Sequence, residues 1–490
     1  MHAYRERVAR VVVVGAGVGG LAAAARLGKQ GHRVTVVEQS GAVGGKLGWF
    51  ERDGFGFDTG PSLLTMPHVF SELFAATGAP IRSRLDVVPV EPIASYRFAD
   101  GSRLESSRDQ NRFRTSLDTA LQPGSGDDWA RLFEQARRMW RATAHDFLES
   151  PGPPSLPRLA LRRPLELGVV RPWQTLRGLG ERQLRDPRLR MFLDRYATYS
   201  GSDPRRAPAA LATVPYAEQA FGAWYITGGL HRLAIALAER VIETGGEIRL
   251  GCDATAIHTT GGRSDGVQLG TGQLLAADVV VANVDAAHLY RDLLPRPRLR
   301  PGGEPSLSGF VLLLGVHARP GATPPAHHTV LFPAAYDGEF DAVFSGRPAG
   351  DPTIYISVPP DPALAPAGHE AWFVLVNAPR QGPYDWDAPG AADSYADLVL
   401  RRMAERGIDI RDRIVLREIR TPADLARTTR ADGGAIYGTS SNGTRAAFLR
   451  PANRSPVPGL FLVGGSAHPG GGLPLVALSA RAVAGLVGPA

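Results

Sequence analysis

The sequence predicts an α/β protein with more than one domain, for three reasons. Residues 11–38 read as a strand, a glycine-rich turn, a helix and a second strand, which together make one βαβ unit. Residues 308–318 and 353–360 read as strands of a different sheet, separated by proline-rich loops. The chain has 490 residues, 43% of them hydrophobic, which is long for one domain and enough to bury a large core.

The βαβ unit begins with a short apolar strand. Residues 11–14 are four consecutive valines, a composition typical of a strand buried on both faces of a parallel sheet. The following "LAAAARLGKQG" predicts a helix that ends at Gly31, and "HRVTVVE" predicts the second strand. The turn between strand and helix is therefore the first place to look for function.

That turn carries the pattern G-x-G-x-x-G, at Gly15, Gly17 and Gly20. The first glycine permits a tight turn, the second lets backbone N–H groups approach a pyrophosphate, and the third lets the helix pack closely on the strand. Glu38, which ends the second strand, can accept hydrogen bonds from a ribose hydroxyl. The pattern predicts a dinucleotide site, and the alternative is a glycine-rich turn in another α/β fold.

A second glycine-rich turn, "GAVGGK" at 41–46, helps to choose between dinucleotides. Glu38 fits FAD and NAD but disfavours NADP, whose extra phosphate it would repel. Gly44 and Gly45 again bare the backbone and Lys46 adds a cation, which suits a ligand that is wrapped and stays bound. We therefore predict FAD as the cofactor. Lys46 is either a phosphate or flavin contact or a solvated surface lysine.

The rest of the chain alternates between helical and strand-like segments, without internal repeats. Residues 125–148 carry an apolar stripe at helical spacing, which predicts a core-facing helix side made of Trp129, Phe133, Ala136, Trp140, Ala144 and Phe147. The other predicted elements are a helix at 228–246, a strand with a bend at 247–260, a buried strand at 277–285 and a helix at 393–407.

The charge balance is mildly basic, with 55 basic and 48 acidic residues and a formal net charge of +7. Between 158 and 206, twelve arginines stand against five acidic residues. This stretch is either a membrane-surface patch, in which Leu, Val and Trp173 enter the lipid and arginines contact head groups, or a helical lid with a solvated basic face. No nucleic-acid reader motif accompanies the charge, so we expect no nucleic-acid partner.

Cysteine chemistry is nearly absent from the sequence. Cys252 is the single cysteine, so no internal disulfide or cysteine-based zinc site can form, and we predict no metal site. We expect a reducing compartment and no secretory signal peptide. We also expect no transmembrane helix, because no apolar run reaches about 18 residues.

The C-terminal stretch "RPANRSPVPGLFLVGGSAHPGGGLPLVALS" reads as a strand, a bare turn and a helix. Together with "VVVVGAGVGGLAAAARLGKQGHRVTVVEQSGAVGGKLGWF", "GFDTGPSLLT", "GGLHRLAIALAERVIETGGEIRL" and "GGAIYG", it resembles the phytoene desaturase family of FAD-dependent carotenoid desaturases, within the amine-oxidase-like flavoproteins. The motifs do not separate phytoene desaturases from 3,4-desaturases or diapocarotenoid oxygenases.

The resemblance implies a discontinuous Rossmann-type FAD-binding domain with a mixed α+β substrate domain. The FAD-binding domain would comprise residues 1–100, 211–300 and 420–490. Residues 101–210 and 301–419 would bind substrate and contact the membrane. The nucleotide site would then be assembled from N-terminal, middle and C-terminal segments that are far apart in the sequence.

The resemblance also implies roles in the closing segment. Gly464 and Gly465 would bring the backbone close to the FAD, and Pro474 would open a helix whose positive N-terminus faces the flavin. His468 is a candidate catalytic residue, as a proton acceptor or an orienter of the ring edge. The alternative is a structural histidine that pins the turn by binding backbone carbonyls.

Five further residues each have two interpretations. Arg450 and Arg454 bind FAD or brace the closing loop. Phe221, Trp224 and Tyr225 line a substrate tunnel or pack in the core. The sequence leaves both pairs of alternatives open.

The implied function is an FAD-dependent desaturase that introduces double bonds into a carotenoid or its acyclic precursor. Its long apolar isoprenoid substrate would lie in an apolar tunnel and be held by buried surface. The protein would be cytoplasmic and peripherally associated with the inner face of the cell membrane. The alternatives are a carotenoid oxygenase or isomerase of the same fold, an amine oxidase and, from another class, a non-enzymatic prenyl-binding escort protein.

Overall fold

The architecture is that of a computed structural model, which describes residues 8–153, 168–171, 173–294, 302–319, 321, 325–443 and 446–490, with the backbone alone at 145, 146, 447 and 448. The strands are β1 (Arg10–Val14), β2 (Arg33–Val37), β3 (Trp49–Arg52), β4 (Phe55–Asp58), β5 (Leu64–Thr65), β6 (Val87–Val90), β7 (Ala94–Arg97), β8 (Arg103–Ser106), β9 (Ala223–Ile226), β10 (Glu247–Arg249), β11 (Ala254–Thr260), β12 (Arg263–Leu269), β13 (Leu274–Ala276), β14 (Val279–Ala282), β15 (Ser308–His317), β16 (His328–Leu331), β17 (Ile354–Ser357), β18 (His369–Ala378), β19 (Ile414–Arg420) and β20 (Leu460–Leu462).

The helices connect and cover these strands. They are α1 (Val18–Lys29), α2 (Pro67–Thr77), α3 (Gln110–Ala120), α4 (Ser125–Thr143), α5 (Leu176–Gln183), α6 (Pro187–Asp194), α7 (Thr213–Phe221), α8 (Arg232–Glu243), α9 (Ala286–His288), α10 (Tyr336–Phe344), α11 (Ala391–Glu405), α12 (Pro422–Thr429), α13 (Ala446–Leu449) and α14 (Leu473–Val487). Among the helices described, none is both long and apolar enough to cross a membrane.

A five-stranded parallel sheet forms the nucleotide-binding half. Its strand order is β10-β2-β1-β14-β20, so it joins strands from the N-terminal, middle and C-terminal parts of the chain. Helix α1 lies on this sheet and packs against α8 and α14. Residues 22–25 of α1 are four buried alanines, whose small side chains let the three helices approach closely.

A seven-stranded sheet forms the other half, in the order β19-β15-β18-β17-β16-β7-β8. Its long antiparallel pair, β15 and β18, supplies apolar residues to two buried clusters, one on each face. The predicted strands at 308–318 and 353–360 are β15 and β17 of this sheet, as expected. Helix α11 covers one face, where the sequence predicted a helix at 393–407.

Two predicted elements differ in detail from the structure. The helix predicted for 125–148 is α4 followed by a π-helical turn at Ala144–Leu148. Of its predicted core stripe, Trp129 and Ala136 are buried, whereas the other four residues are half-buried: Phe133, Trp140, Ala144 and Phe147. The strand predicted for 247–260 is two strands, because the chain leaves the parallel sheet after β10 and starts a three-stranded antiparallel sheet with β11.

The predicted fold class, an α/β protein with a Rossmann-type half and a mixed α+β half, is confirmed. The domain boundaries remain a prediction. Strand β7 lies inside the range 1–100, but it pairs with β16 in the seven-stranded sheet.

Candidate functional site

The first glycine turn has glycines at its crowded positions, because neighbouring backbone atoms leave no room for a Cβ there. Gly15 has φ +98°, a left-handed conformation, and a Cβ at this position would lie 2.7 Å from the carbonyl oxygen of Asn283. A Cβ on Gly20 would lie 2.2 Å from the carbonyl oxygen of Gly15. Gly17 is the N-cap residue of α1, and no acidic side chain occupies the first turn of that helix. The positive helix N-terminus therefore faces the space beyond the turn.

Glu38 stands at the end of β2, directly beside this turn. One of its carboxylate oxygens accepts a hydrogen bond from the backbone N–H of Ala16 at 2.7 Å. The other accepts one from the N–H of Ser40 at 3.0 Å. These bonds fix the buried carboxylate in the cavity wall, where it can bind a ribose.

The second glycine turn packs directly on the first. The N–H of Gly44 donates to the carbonyl of Ala16 at 2.9 Å, and a Cβ on Gly45 would lie 3.2 Å from the Cα of Gly17. Both glycines have positive φ, +114° and +58°. The two turns together form one wall of bare backbone, which leaves room for a phosphate-bearing ligand to approach.

Lys46 reaches across the cavity wall to the other end of the chain. Its amine donates to the carbonyls of Ala435 and Ile436, at 3.0 and 2.6 Å. Burial lowers the pKa of Lys46, and the nearby carboxylate of Asp285 opposes that shift. Lys46 thus ties the "GGK" turn to the "GGAIYG" segment while it lines the cavity.

The closing segment returns to the same place. Gly464 follows β20 with φ +109°, and a Cβ on Gly19 of α1 would lie 3.2 Å from its Cα. Gly465 and Pro474 line the cavity, and Pro474 stands in the first turn of α14. This helix has no capping side chain and no acidic residue in its first turn, so its positive N-terminus is open to the cavity.

Sequence reasoning missed Asn283, which follows β14, the strand next to β1 in the parallel sheet. Its amide donates to the carbonyl of Gly15 at 3.3 Å. The same side chain lies where a Cβ on Gly17 or Gly464 would have to go, at 2.8 and 2.7 Å. Asn283 therefore binds the first turn and packs closely against the closing segment. The available signal was a polar residue at the carboxyl end of a buried strand, "VVVANVD".

His468 is fully buried and lies behind the cavity wall, while its neighbour Pro469 lines the cavity. Its Nε2 contacts the carbonyl oxygen of Phe147 at 2.6 Å, so Nε2 carries the proton of the neutral ring. Burial lowers the pKa of His468 to about 4, and the Arg450 guanidinium adds to this. The ring also packs edge-on against Phe147.

Arg450 is buried and bonds three backbone carbonyls. It donates to Tyr437 at 2.8 Å, Gly465 at 2.7 Å and Thr439 at 2.8 Å. Burial lowers the pKa of Arg450 to about 10. The guanidinium braces the closing loop from the cavity wall. Arg454 instead is exposed and lies over the ring of Phe461 at 5.5 Å.

The glycine turns open into one continuous cavity of about 1150 Å³. Its far part is lined mostly by apolar side chains, among them Leu63, Met66, Leu211, Val214 and Phe373. Of the three aromatic residues considered for a tunnel, none belongs to this lining: Phe221 packs on Trp140, Trp224 binds the Phe221 carbonyl, and Tyr225 binds Asp361.

The residues present fit FAD. Three bare turns with positive φ converge on one cavity, two helix N-termini face it, and a carboxylate stands at the end of the second strand. This arrangement defines a dinucleotide-binding flavoprotein whose cofactor site opens into an apolar chamber.

The chain belongs to a family described as flavin containing amine oxidoreductase, whose model matches residues 18–488. It is therefore an FAD-dependent oxidoreductase, and the prediction of FAD as its cofactor is confirmed. The predicted resemblance to amine-oxidase-like flavoproteins is also confirmed, and the alternative of a non-enzymatic escort protein is set aside.

Curated relatives match over nearly their whole length. The chain is 36% identical to a 4,4'-diapolycopene oxygenase from Methylomonas sp., over 97% of both chains. It is 35% identical to a zeta-carotene-forming phytoene desaturase from Myxococcus xanthus, over 97% of this chain and 93% of that one. It is 33% identical to a hydroxyneurosporene desaturase from Cereibacter sphaeroides, over 97% of both chains.

Solved structures share the fold at lower identity. An oxidoreductase from Methanosarcina mazei is 19% identical with a TM-score of 0.65, covering 97% of this chain and 99% of that one. An engineered triple mutant of putrescine oxidase is 15% identical with a TM-score of 0.68, covering 98% of both chains. At this identity the likeness shows the fold alone.

Proposed function

We propose that this protein is an FAD-dependent desaturase that introduces double bonds into a carotenoid or its acyclic precursor. The observation that carries the proposal is the single cavity, which runs from the bare glycine turns into an apolar chamber. A long hydrocarbon has no charge to bind, so its affinity must come from buried apolar surface, at about 25 cal/mol per Å². Near-full-length similarity to named carotenoid desaturases supports the same substrate class.

The reaction removes two hydrogens from adjacent carbons, and bound FAD supplies the hydride acceptor. The chain's own residues hold the cofactor and exclude water. We propose that Gly15, Gly17 and Gly44 admit the pyrophosphate and that Glu38 binds the ribose. The open N-terminus of α14 then stabilises negative charge on the group bound there.

Two further assignments are part of this proposal. We propose that the FAD-binding domain comprises 1–100, 211–300 and 420–490, since all five strands of the parallel sheet fall in these ranges. We also propose that His468 has a positioning role. It holds the closing turn against the carbonyl of Phe147, instead of exchanging protons with substrate.

The test uses FAD-loaded protein and vesicles that carry phytoene, a partly desaturated acyclic carotenoid or a diapocarotenoid, with oxygen or a quinone as acceptor. We expect a shift of the absorption bands to longer wavelength and products that have lost pairs of hydrogens. Products that gain oxygen would favour the oxygenase, and products of unchanged mass the isomerase. No change with any of the three substrates would overturn the proposal.

We propose further that the protein is cytoplasmic and binds the inner membrane surface peripherally, through the segment around Trp173. This ring is 67% exposed. Val170, three residues earlier, lines the cavity, and Thr175 pairs with Pro208, which lines it too. An exposed aromatic ring thus stands beside the chamber that receives an apolar substrate.

We propose that insertion of apolar side chains into the lipid contributes more to this membrane contact than the arginines do. Arg158, Arg162 and Arg163 lie outside the described residues. Five arginines further along the stretch pair with carboxylates of this chain: Arg177, Arg185, Arg188, Arg205 and Arg206. The basic stretch is therefore partly neutralised within the fold.

Vesicle sedimentation tests the membrane contact. We expect Trp173→Ser to reduce binding to vesicles about tenfold or more, because it removes a large apolar side chain from the contact. Ile242→Ser is the matched control, since Ile242 is also exposed, at 55%, but lies on α8 in the other half of the protein. Equal effects of the two substitutions would overturn this assignment.

A further inference from the structure

A polar cluster interrupts the apolar wall of the chamber. Arg195, Tyr199, Glu218, Tyr355 and Ser62 all line the cavity. Arg195 and Glu218 are 7% and 2% exposed, so both charged groups are removed from bulk water. Such groups are costly to bury beside a hydrocarbon, and their presence needs an explanation.

Arg195 sits in a cage of tyrosine rings. Its guanidinium carbon lies 5.0 to 5.9 Å from four ring centres, those of Tyr96, Tyr196, Tyr199 and Tyr355. Within the described parts of the chain, its side chain makes one hydrogen bond, from Nη1 to the hydroxyl of Tyr96 at 3.3 Å, and no ion pair within 4 Å. A guanidinium has five N–H donors, so this cation has donating capacity to spare.

Glu218 supplies the complementary acceptor from α7. Its carboxylate accepts hydrogen bonds from the hydroxyls of Tyr196 at 2.6 Å and Tyr199 at 3.3 Å. A carboxylate offers about four acceptor positions, so the two bonds that it makes with described residues leave some of these positions open. The hydroxyl of Tyr355, in contrast, is already shared between Ser62 at 2.6 Å and His328 at 2.7 Å.

A purely structural role would hold the segment 195–200 to α7, and the tyrosine bonds to Glu218 already do that. It would not require a guanidinium with unused donors in the wall of the substrate chamber. If an unsubstituted hydrocarbon filled the chamber, it would displace water from Arg195 and Glu218. It would offer neither group a hydrogen bond in place of those that water had made. A ligand that carries an oxygen removes this cost.

We propose that Arg195 and Glu218 form a specificity subsite for a hydroxyl group on the long isoprenoid substrate. A hydroxyl can accept from the guanidinium and donate to the carboxylate, so it satisfies both groups at once. The inference rests on the proposed function, since it names the substrate class of the same cavity: acyclic carotenoids that bear a hydroxyl. The subsite acts in recognition and leaves the redox step to the cofactor site.

The test is a competition between two acyclic carotenoids of equal chain length and equal unsaturation, one with a terminal hydroxyl and one without. Both are placed in the same vesicles with FAD-loaded enzyme, and the ratio of their kcat/KM values is measured. Dividing the ratio of a variant by that of the wild type cancels any difference in how the two carotenoids partition into the vesicles. We expect Arg195→Met to lower the preference for the hydroxylated substrate about 10- to 100-fold.

Arg206→Met is the matched control, because Arg206 is close in sequence but pairs with Glu304 at the surface. Its ratio should stay at the wild-type value. If Arg195→Met binds no FAD or fails to fold, Glu218→Gln decides, since it keeps the volume and loses the charge; it should lower the ratio in the same direction.

One result overturns the inference: a ratio in folded Arg195→Met that matches the control, whether or not turnover of both substrates falls in parallel. Absence of turnover by the wild-type enzyme with either substrate would instead overturn the proposed desaturase function, so the two failures are distinguishable.

Discussion

The strongest test of the site concerns His468, for which the sequence left a catalytic and a structural interpretation open. The ring is fully buried and its Nε2–H donates to the carbonyl of Phe147 at 2.6 Å. Glutamine at this position keeps an N–H donor of similar reach but cannot be protonated. His468→Gln therefore separates the hydrogen bond from the titration.

The pKa of His468 gives the magnitude. Burial lowers it from 6.5 to about 4 in the folded protein, so the neutral ring is favoured there relative to the unfolded chain. A depressed pKa means that the contribution to stability is present above pH 6.5 and is lost as the pH falls through 4. The difference of about 2.5 pKa units corresponds to about 3 kcal/mol of unfolding free energy.

The assay is urea unfolding of wild-type protein and His468→Gln at several pH values between 4 and 7.5. Subtracting one free energy of unfolding from the other removes the titration of all other groups. We expect the wild type to lose about 3 kcal/mol relative to the variant across this window. At pH 7.5 we expect the FAD-loaded variant to keep kcat within about tenfold of the wild type.

A folded, FAD-loaded His468→Gln enzyme whose kcat falls by a factor of 100 or more would refute this reasoning. Losses of that size are typical of a missing general acid or base. A difference in stability that does not depend on pH would refute the electrostatic part, because it would show that the ring titrates alike in the folded and unfolded chains.

Three other substitutions test the cradle and its support. Gly20→Ala should abolish FAD retention, measured by flavin absorbance after purification, because its Cβ would lie 2.2 Å from the Gly15 carbonyl oxygen; Gly41→Ala, with nothing within 4 Å, should retain FAD. Burial raises the pKa of Asp58 to about 6, so ionisation of its carboxyl should cost about 2 kcal/mol of stability as the pH rises from 4 to 7, and Asp58→Asn should remove that slope in urea unfolding. Lys46→Met should weaken FAD binding about tenfold in a flavin fluorescence titration, since it frees two carbonyls that the amine holds.

Local patterns predicted the first wall of the site because its chemistry is encoded in neighbouring residues. A buried valine strand, three spaced glycines and Glu38 follow one another within a single βαβ unit. The strand bounds Arg10–Val14 and Arg33–Val37 agree with that pattern. The structure also explains why glycine is needed at the third position of the pattern, since a Cβ on Gly20 would clash with the backbone of Gly15.

The far wall could not be predicted in the same way, because it depends on contacts between distant segments. Asn283 reaches Gly15 only because β14 is the neighbour of β1 in the sheet. His468 meets Phe147 across 321 positions of the chain. One sequence, without its sheet order, carries no signal for such pairs.

The same limit applied to the aromatic cage, which was not recognisable in the sequence and which the structure assembles around Arg195. Several aromatic faces around one site are a common way to bind a cationic ligand such as an ammonium group. Here the cage already holds a cation of the chain itself, at 5.0 Å from the ring centre of Tyr199. A protonated amine that entered the chamber would meet a like charge instead of an open cage. The fold shared with amine oxidoreductases is thus combined with an aromatic cage that a guanidinium of the chain already fills, which leaves no open cage for an amine.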